Sequence, residues 1–569
     1  MRSSYVEISF IELNARERAR NVLDSGTFRE ILNPFERYKS PHLSQQSIVP
    51  QSDDGVVVVR GLIHGQSAVV IAIEGGFQGG GIGEVSGAKI AGALENALHD
   101  CENGILTLPI LILETGGVRL QEGNYGLLAI AEIGAAIVAL RRHVPVIGII
   151  AGMIGCYGGM SICAGLCSYL IMTKQGRLEL NGPEVIEQEA GIAEFDSSDR
   201  LMIWRTVGGQ QRCAVSLADM LADDSVDDIN EFVRVAIQQG IPQAHRSSKV
   251  EHYLSLLARI DPSQSLDGDG LRQLWDKVGI QNSEESMRML ESKWNRNMHS
   301  GTNSRGRTWF EALAGVARQE VVGAPSVLCA DGMLANENVR YIAVVPNPDN
   351  RFPRARHGEV GIDEAWAIAR FVQDAIKQDA HGMKRAIVAI IDVPSQAFGY
   401  MEELLGINHA CAAAVDAYAS ARLAGHPVIA LIVGKAISGA FLAHGLQANR
   451  IIAFDDPEVM VQVMSKNSAA RITRRTIAEL DEAALTIPAT AYDIRSFATL
   501  GALDNLIEGI NTDSPESEDL ERVREIVVSA IVNTRSGCTD IANRLQSAAA
   551  RINRAASIRV RERLAELWN

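Results

Sequence analysis

Main-chain amides, more than side chains, are the groups in this sequence best placed to do chemistry. One phrase occurs twice: a histidine, a proline, an apolar run, a glycine turn, then a helix start rich in small residues. The first copy runs from His143 and Pro145 through Val146–Ile150 and enters its helix at Tyr157, Gly158 and Gly159. The second runs from His426 and Pro427 through Val428–Val433 and Gly434 and enters its helix at Ser438, Gly439 and Ala440. Each reads as a buried strand ending at exposed N–H groups of a helix N-terminus. Such a place suits an oxygen that becomes negative during a reaction. Two of them suggest chemistry on a carbonyl compound.

A second donor set lies upstream. Glu114-Thr-Gly-Gly-Val-Arg-Leu-Gln-Glu122 ends a predicted strand, Leu108–Leu113, and precedes a helix over Glu122–Leu140. Gly116, Gly117 and Val118 can offer N–H donors there, and Gly158 and Gly159 the complementary ones. Gly434, Ser438, Gly439 and Ala440 form the corresponding candidate site in the second copy. The glycines from Gly75 to Gly87 lack the lysine of a phosphate-cradling loop and the third glycine of a dinucleotide fingerprint. Gly79, Gly80 and Gly81 either wall an active site and touch a cofactor or make a tight turn. Arg351, Arg354, Arg356 and His357 lie on an irregular, proline-broken loop. They are solvated, or they dock the phosphates of a carried cofactor.

Other chemistries fit less well. Ser438 lacks a G-x-S-x-G elbow, and no spacing ties His409 or His444 to it. The eight cysteines include no C-x-x-C pair, and Cys163 and Cys167 have no histidine cluster, so buried thiols in a reducing cytoplasm are expected and no metal. Val144–Thr173 carries no charge, yet its six glycines and opening proline favour strand, turn and helix over a membrane span. A net charge of −15 draws neither nucleic acid nor anionic membrane. Arg2, Glu7, Glu12 and Arg16 interrupt any secretory apolar stretch.

The elements that must position these groups alternate between strand and helix, which indicates stacked β–α units. At 569 residues, with 50 glycines and only 5% aromatic residues, two domains with aliphatic cores are expected. Residues 1–293 form the first, 294–308 an unpatterned linker and 309–569 the second. The N-terminal 50 residues read as a helical arm broken at Asn33-Pro34, and 200–290 as helices over the first core. The second half repeats the grammar. A strand over Ala386–Asp392 ends at Val393–Gly399, matching the place of Glu114–Gly117, and a helix over Glu402–Leu423 precedes the strand Val428–Val433. This order argues for duplication. Arg544–Asn569 reads as a basic amphipathic helix whose Arg551, Arg554, Arg559, Arg561 and Arg563 serve an acidic carrier or balance the helix dipole.

Thr115–Glu122, Tyr157-Gly-Gly-Met-Ser161 and Asn181-Gly-Pro-Glu-Val-Ile-Glu-Gln-Glu189 resemble the N-type half of acyl-CoA carboxyltransferases. Val433–Ala440 resembles the C-type half. Glu74–Gly87 and Val345–Glu359 are more similar to the β and γ subunits of biotin-independent malonate decarboxylase, as if fused. The resemblance implies two crotonase-like β-β-α superhelices and conversion of a malonyl thioester to an acetyl thioester and CO₂. It further implies an acyl carrier protein bearing a phosphoribosyl-dephospho-CoA arm, a malonate/acetyl transferase subunit, no biotin and a homo-oligomer in the cytoplasm. In it Gly116–Val118 with Gly158 and Gly159 hold the thioester oxygen, and Gly434 with Ser438–Ala440 the departing carboxylate. Tyr157, Glu122, His409 or water then protonates the enolate. A biotin-dependent carboxyltransferase of the same fold is the alternative. The absence of a zinc ribbon favours the decarboxylase.

Overall fold

Two hairpins with one register open the two sheets. Val56–Ile63 (β2) pairs antiparallel with Gln66–Ile73 (β3), and Val327–Leu334 (β9) with Glu337–Val344 (β10). In the first sheet the third residue of β3, Ala68, pairs with the first of the parallel strand Leu108–Ile112 (β4). In the second, the third residue of β10, Val339, pairs with the first of Ala386–Val393 (β11). Such a shared register is what duplication of one β-β-α unit leaves behind. The computed structural model describes residues 7–276, 283–295, 302–315, 318–537 and 539–569.

The first sheet has seven strands in chain order: Arg29–Ile31 (β1), β2, β3, β4, Ile147–Ile150 (β5), Tyr169–Thr173 (β6) and Met220–Ala222 (β7). From β3 onward all pairings are parallel. Strands β4, β5 and β6 are buried at every residue, which is why they read as unbroken apolar runs. Between them run the helices Glu84–Glu102 (α1), Asn124–Leu140 (α2) and Gly158–Leu166 (α3). The uncharged stretch from Val144 to Thr173 is thus β5, α3 and β6. Among the described residues no helix is long and apolar enough to cross a membrane.

Among the described residues the second sheet has eight strands. Asn505–Ile507 (β15), Arg450–Phe454 (β13), Val428–Ile437 (β12), β11, β10, β9 and Gln319–Glu320 (β8) lie in that order, and Met460–Gln462 (β14) pairs with the far end of β12. The intervening helices are Ile362–Gln378 (α4), Ile407–Leu423 (α5) and Ser438–Ala443 (α6). The helix expected over Glu402–Leu423 is broken: Tyr400–Leu404 ends before Gly406, whose φ of 80° starts α5 afresh.

Contacts group the chain into two units, 1–122 with 132–246 and 556–569, and 123–131 with 247–555. The sequence-based boundaries differ from these. Residues 247–293 group with the second unit and 556–569 with the first. Of the expected linker, 296–301 lie outside the described residues, as does Cys538. Its far end is ordered: Arg305–Ala314 is a helix capped by the Ser304 hydroxyl, which accepts from Arg307 N–H. The C-terminal stretch is three short helices, Ala542–Leu545, Ala548–Asn553 and Ala555–Glu566.

Candidate active site

In the first unit the end of β4 and the start of α3 lie against each other. A Cβ added to Gly117 would stand 3.2 Å from Gly158 Cα and 3.1 Å from Tyr157 O. Tyr157 N–H donates to Thr115 O (2.9 Å) and Thr115 N–H to Gly155 O (2.8 Å), lacing the two turns together. The predicted donors Gly116–Val118 and Gly158–Gly159 are thus brought together.

They are not equally available. Gly116 N–H donates to Gly79 O (2.8 Å) and Gly158 N–H to Leu180 O (3.1 Å), while Gly117 N–H reaches the Thr115 hydroxyl (3.1 Å). Gly116 and Gly158 are therefore corrected from oxygen donors to parts of the frame. Among the described residues no acceptor meets the N–H of Val118, or that of Gly159 in the first turn of α3, where no intrahelical partner exists. Tyr157 caps α3 with backbone alone, so its side chain leaves those amides open.

The glycine-rich loop braces this arrangement. Gly80 packs so closely that a Cβ there would lie 2.0 Å from Glu114 O. That contact and the Gly79 carbonyl bond favour the tight-turn reading of Gly79–Gly81. Gly117 O accepts from Ile82 N–H (2.8 Å), and Ile82 O from Arg119 N–H (2.9 Å).

Behind the turn sits a buried charge cluster. Arg119 bonds Asp54 (2.7 Å) and Glu122 (2.6 Å), with all three side chains at most 1% exposed. Ser40 Oγ and Glu84 N–H donate to the other oxygen of Glu122 (2.9 and 3.2 Å), which commits this candidate proton donor to structure. Burial pushes the Asp54 carboxyl up to about 6, although Arg119 opposes the shift. Glu114 pairs with Arg18. Tyr157 stacks its ring on the Arg177 guanidinium (5.0 Å), and its buried hydroxyl has no partner among the described residues. His409 belongs to the second unit, edge-on to Tyr253 at 4.7 Å.

The second unit carries the matching turn. Ser438 begins α6 with φ 59°, against 56° for Gly158. Gly439 N–H, however, donates to Gln396 Oε1 (3.0 Å), and a Cβ on Gly434 would meet Asp392 Oδ1 at 2.2 Å. Asp392 is itself held by Lys435 N–H (3.2 Å) and Gly306 N–H (3.1 Å). Gly439 N–H is therefore already engaged by Gln396, and Gly434 packs against Asp392. Ser438 and Ala440 start a helix of only six residues. His444 bonds the Tyr418 hydroxyl (2.9 Å) and Ile390 O (3.2 Å), and burial lowers it to about 4. It is a core histidine. Sequence reasoning passed over Gln396 and Asp392, although an amide and a carboxylate at the end of an apolar strand are a readable signal of turn bonding.

The basic residues divide between structural and exposed places. Arg351 grips Asp363 with two bonds of 2.6 Å and donates to Ile260 O at 3.0 Å, so most of its N–H donors are held within the fold. Arg356 is exposed and bonds Asn350 O, and Arg354 is half-buried. In the first unit Arg561 pairs with Glu95 (2.9 Å) and Glu132 (2.7 Å), and Arg563 with Glu36 (3.2 Å). Arg554 is buried; Arg551 and Arg559 remain exposed. Among the described residues no cluster of metal-ligating side chains exists. Six of the seven described cysteines are buried.

Residues 355–568 match the family model for the malonate decarboxylase gamma subunit. A malonyl-S-ACP:biotin-protein carboxyltransferase, MADC of Malonomonas rubra, is 38% identical over 49% of this chain and 92% of its own length. This chain belongs to the malonate decarboxylase family of carboxyltransferases. The MADD carboxyltransferase of the same organism is 36% identical over 35% of the chain and 65% of its own length. A Pseudomonas malonate decarboxylase hetero-tetramer solved with malonate has a chain 57% identical, covering 47% of this chain and 98% of that one, at a TM-score of 0.47. Beta- and gamma-type halves are here joined in one polypeptide.

Proposed function

We propose that the chain is a carbon–carbon lyase that decarboxylates a malonyl thioester, presented by an acyl carrier protein, to the acetyl thioester and CO₂. The observation that carries this reading is the pair of unclaimed amides, Val118 and Gly159, on two turns in direct contact. When the bond between the α-carbon and the carboxylate breaks, its electrons move onto the thioester oxygen. Donors already aimed at that oxygen need no reorganisation, and losing one costs on the order of 10²–10³ in rate. The frame bonds of Gly116 and Gly158 hold the donors still, and the buried Arg119 cluster holds the frame. The enolate carbon then takes a proton from Tyr157 or water. Glu122 is committed to Arg119.

The family match and the malonyl-S-ACP named for MADC support a carrier-bound substrate. The carrier's phosphoribosyl-dephospho-CoA arm, a separate malonate/acetyl transferase, self-association of this chain and a cytoplasmic setting complete the reading. The deciding experiment incubates purified protein with malonyl-loaded carrier and, in parallel, free malonyl-CoA. Acetyl-carrier and CO₂ are expected, and their absence from active carrier preparations overturns the proposal.

A second reading has its own support. The names of MADC and MADD specify a biotin protein as carboxyl acceptor. Avidin separates the two, since it inhibits turnover in a reconstituted system only if biotin takes part.

A further inference from the structure

A cation stands beside the open turn of the first unit at a place where the second unit does without one. Cys156 pairs with Leu178 in a parallel bridge two residues before Gly158, as Ala436 pairs with Val461 two residues before Ser438. Gly158 and Ser438 share a left-handed backbone, with φ of 56° and 59°. By this register Tyr157 matches Ile437, and Arg177 matches Met460. The second unit fills both places with apolar side chains, so the frame itself does not require a charge there. Arg177 lies over the Tyr157 ring (5.0 Å) and the Trp204 ring (4.9 Å). Its Nε donates to Met153 O (3.2 Å), and the buried Glu179 stands 3.6 Å from Nη1, too far for a hydrogen bond. The side chain is 16% exposed, and its terminal nitrogens make no hydrogen bond among the described residues.

We propose that Arg177 holds the malonyl carboxylate and so selects the malonyl over the acetyl thioester. The inference rests on the decarboxylase reading above and names the residue that recognises its substrate. The two rings and the Met153 carbonyl fix the plane of the guanidinium and leave its terminal N–H groups as a fork. Such a planar fork suits the two oxygens of a carboxylate. The main chain brings it to the donors. Cys156 N–H donates to Arg177 O (2.9 Å) and Gly158 N–H to Leu180 O (3.1 Å), so residues 177–180 run beside the turn that ends at the open Gly159 amide. In a malonyl group a single methylene separates the thioester carbonyl from the carboxylate, so neighbouring places suit one ligand. When the bond to the α-carbon breaks, the charge passes to the thioester oxygen and the carboxylate leaves as neutral CO₂. The contact with Arg177 is therefore made by the substrate and lost by the product. It stabilises the bound substrate at least as much as the transition state, so it lowers KM without raising kcat.

The test uses the full chain as wild type, Arg177→Met and Arg177→Lys, with malonyl-loaded carrier as substrate and acetyl-loaded carrier as competing product. In Arg177→Met the KM for malonyl-loaded carrier is expected to rise at least about tenfold, as loss of charge-assisted hydrogen bonds allows. Its kcat should not fall, and the inhibition constant of acetyl-loaded carrier should not change. Arg177→Lys keeps the charge without the fork and should fall between the two. A malonyl KM within about twofold of wild type in the methionine variant overturns the proposal. So does an equal rise in the malonyl KM and the acetyl inhibition constant, or a fall in kcat at unchanged KM, since either marks a structural role. Arg177→Gln carries the same test if the methionine variant fails to fold. A wild-type chain yielding neither CO₂ nor acetyl-carrier fails the decarboxylase reading instead, and equilibrium binding of the two loaded carriers then judges Arg177. A wild-type preference for the malonyl form that Arg177→Met abolishes sustains the contact, and equal binding of both forms by wild type overturns it.

Discussion

The two turns share a backbone frame and differ in what fills it. In the first unit Gly117, Val118 and Arg119 follow the strand; in the second Ser395, Gln396 and Ala397 do. The apolar Val118 side chain offers no oxygen, so the facing amide stays open. Gln396 brings an oxygen, which the Gly439 amide meets. Arg119 anchors a buried ion cluster behind the open turn, whereas Ala397 packs into apolar core. An open donor pair is a set of unsatisfied amides, and a satisfied frame around it is what keeps them aimed. Duplication thus preserved geometry while single side chains separated the roles.

The comparison breaks first at Arg119. Arg119→Met keeps much of the volume but leaves Asp54 and Glu122 buried without their cation, and a loss of about 3–5 kcal/mol is expected in chemical denaturation. A loss below about 1 kcal/mol would show that the cluster does not anchor the turn. Gly159→Pro deletes one open amide at a helix start that tolerates proline, and a fall in kcat on the order of 10²–10³ with the fold retained is expected. Near-normal turnover in a folded protein would remove Gly159 from the donor pair.

His444 sharpens the contrast through pH, since its place in the first unit is taken by Ala164. Its folded-state pKa of about 4 lies below the usual 6.5, so the unfolded chain binds the proton first as pH falls. Its stabilising contribution is complete above pH 6.5 and is lost as pH falls towards 4, by roughly 3 kcal/mol. Subtracting the denaturation profile of His444→Gln from that of wild type should show this slope with this sign. Asp54 works the other way. Its folded-state value near 6 exceeds the ordinary 3.8, so its burial costs stability as pH rises through that window. The smallest effect is expected at Ser438, a non-glycine residue held at φ 59° where the first unit has glycine. Ser438→Gly should stabilise the protein by about 1 kcal/mol, read as a higher denaturation midpoint with unchanged turnover.

Much of the fold was legible because buried parallel strands leave continuous apolar runs. Leu108–Ile112 and Ile147–Ile150 fall within a residue of their predicted limits, and Ala386–Val393 extends its range by one. The break at Gly406 was not legible, since one glycine ahead of an alanine-rich run does not announce a left-handed residue. The continuation of β12 to Ile437 depends on β14, a partner far along the chain. At the site, the two turns that meet in the first unit were readable from glycine spacing. Which amides stay open was not, because the acceptors of Gly116 and Gly158 are the carbonyls of Gly79 and Leu180, tens of residues away. Arg351 looked like a phosphate ligand for the same reason: nothing nearby in sequence reveals that Leu257 and Ile260 supply its acceptors.

Sequence alone determined the alternation of elements, the duplicated phrase and the family, because apolar periodicity, glycine turns and motif strings are local properties. Tertiary structure alone decided that the Val118 and Gly159 amides meet no acceptor among the described residues while the Gly439 amide donates to Gln396. Hydrogen-bond satisfaction is set by whichever group the fold brings within about 3 Å, and that group is seldom a neighbour along the chain.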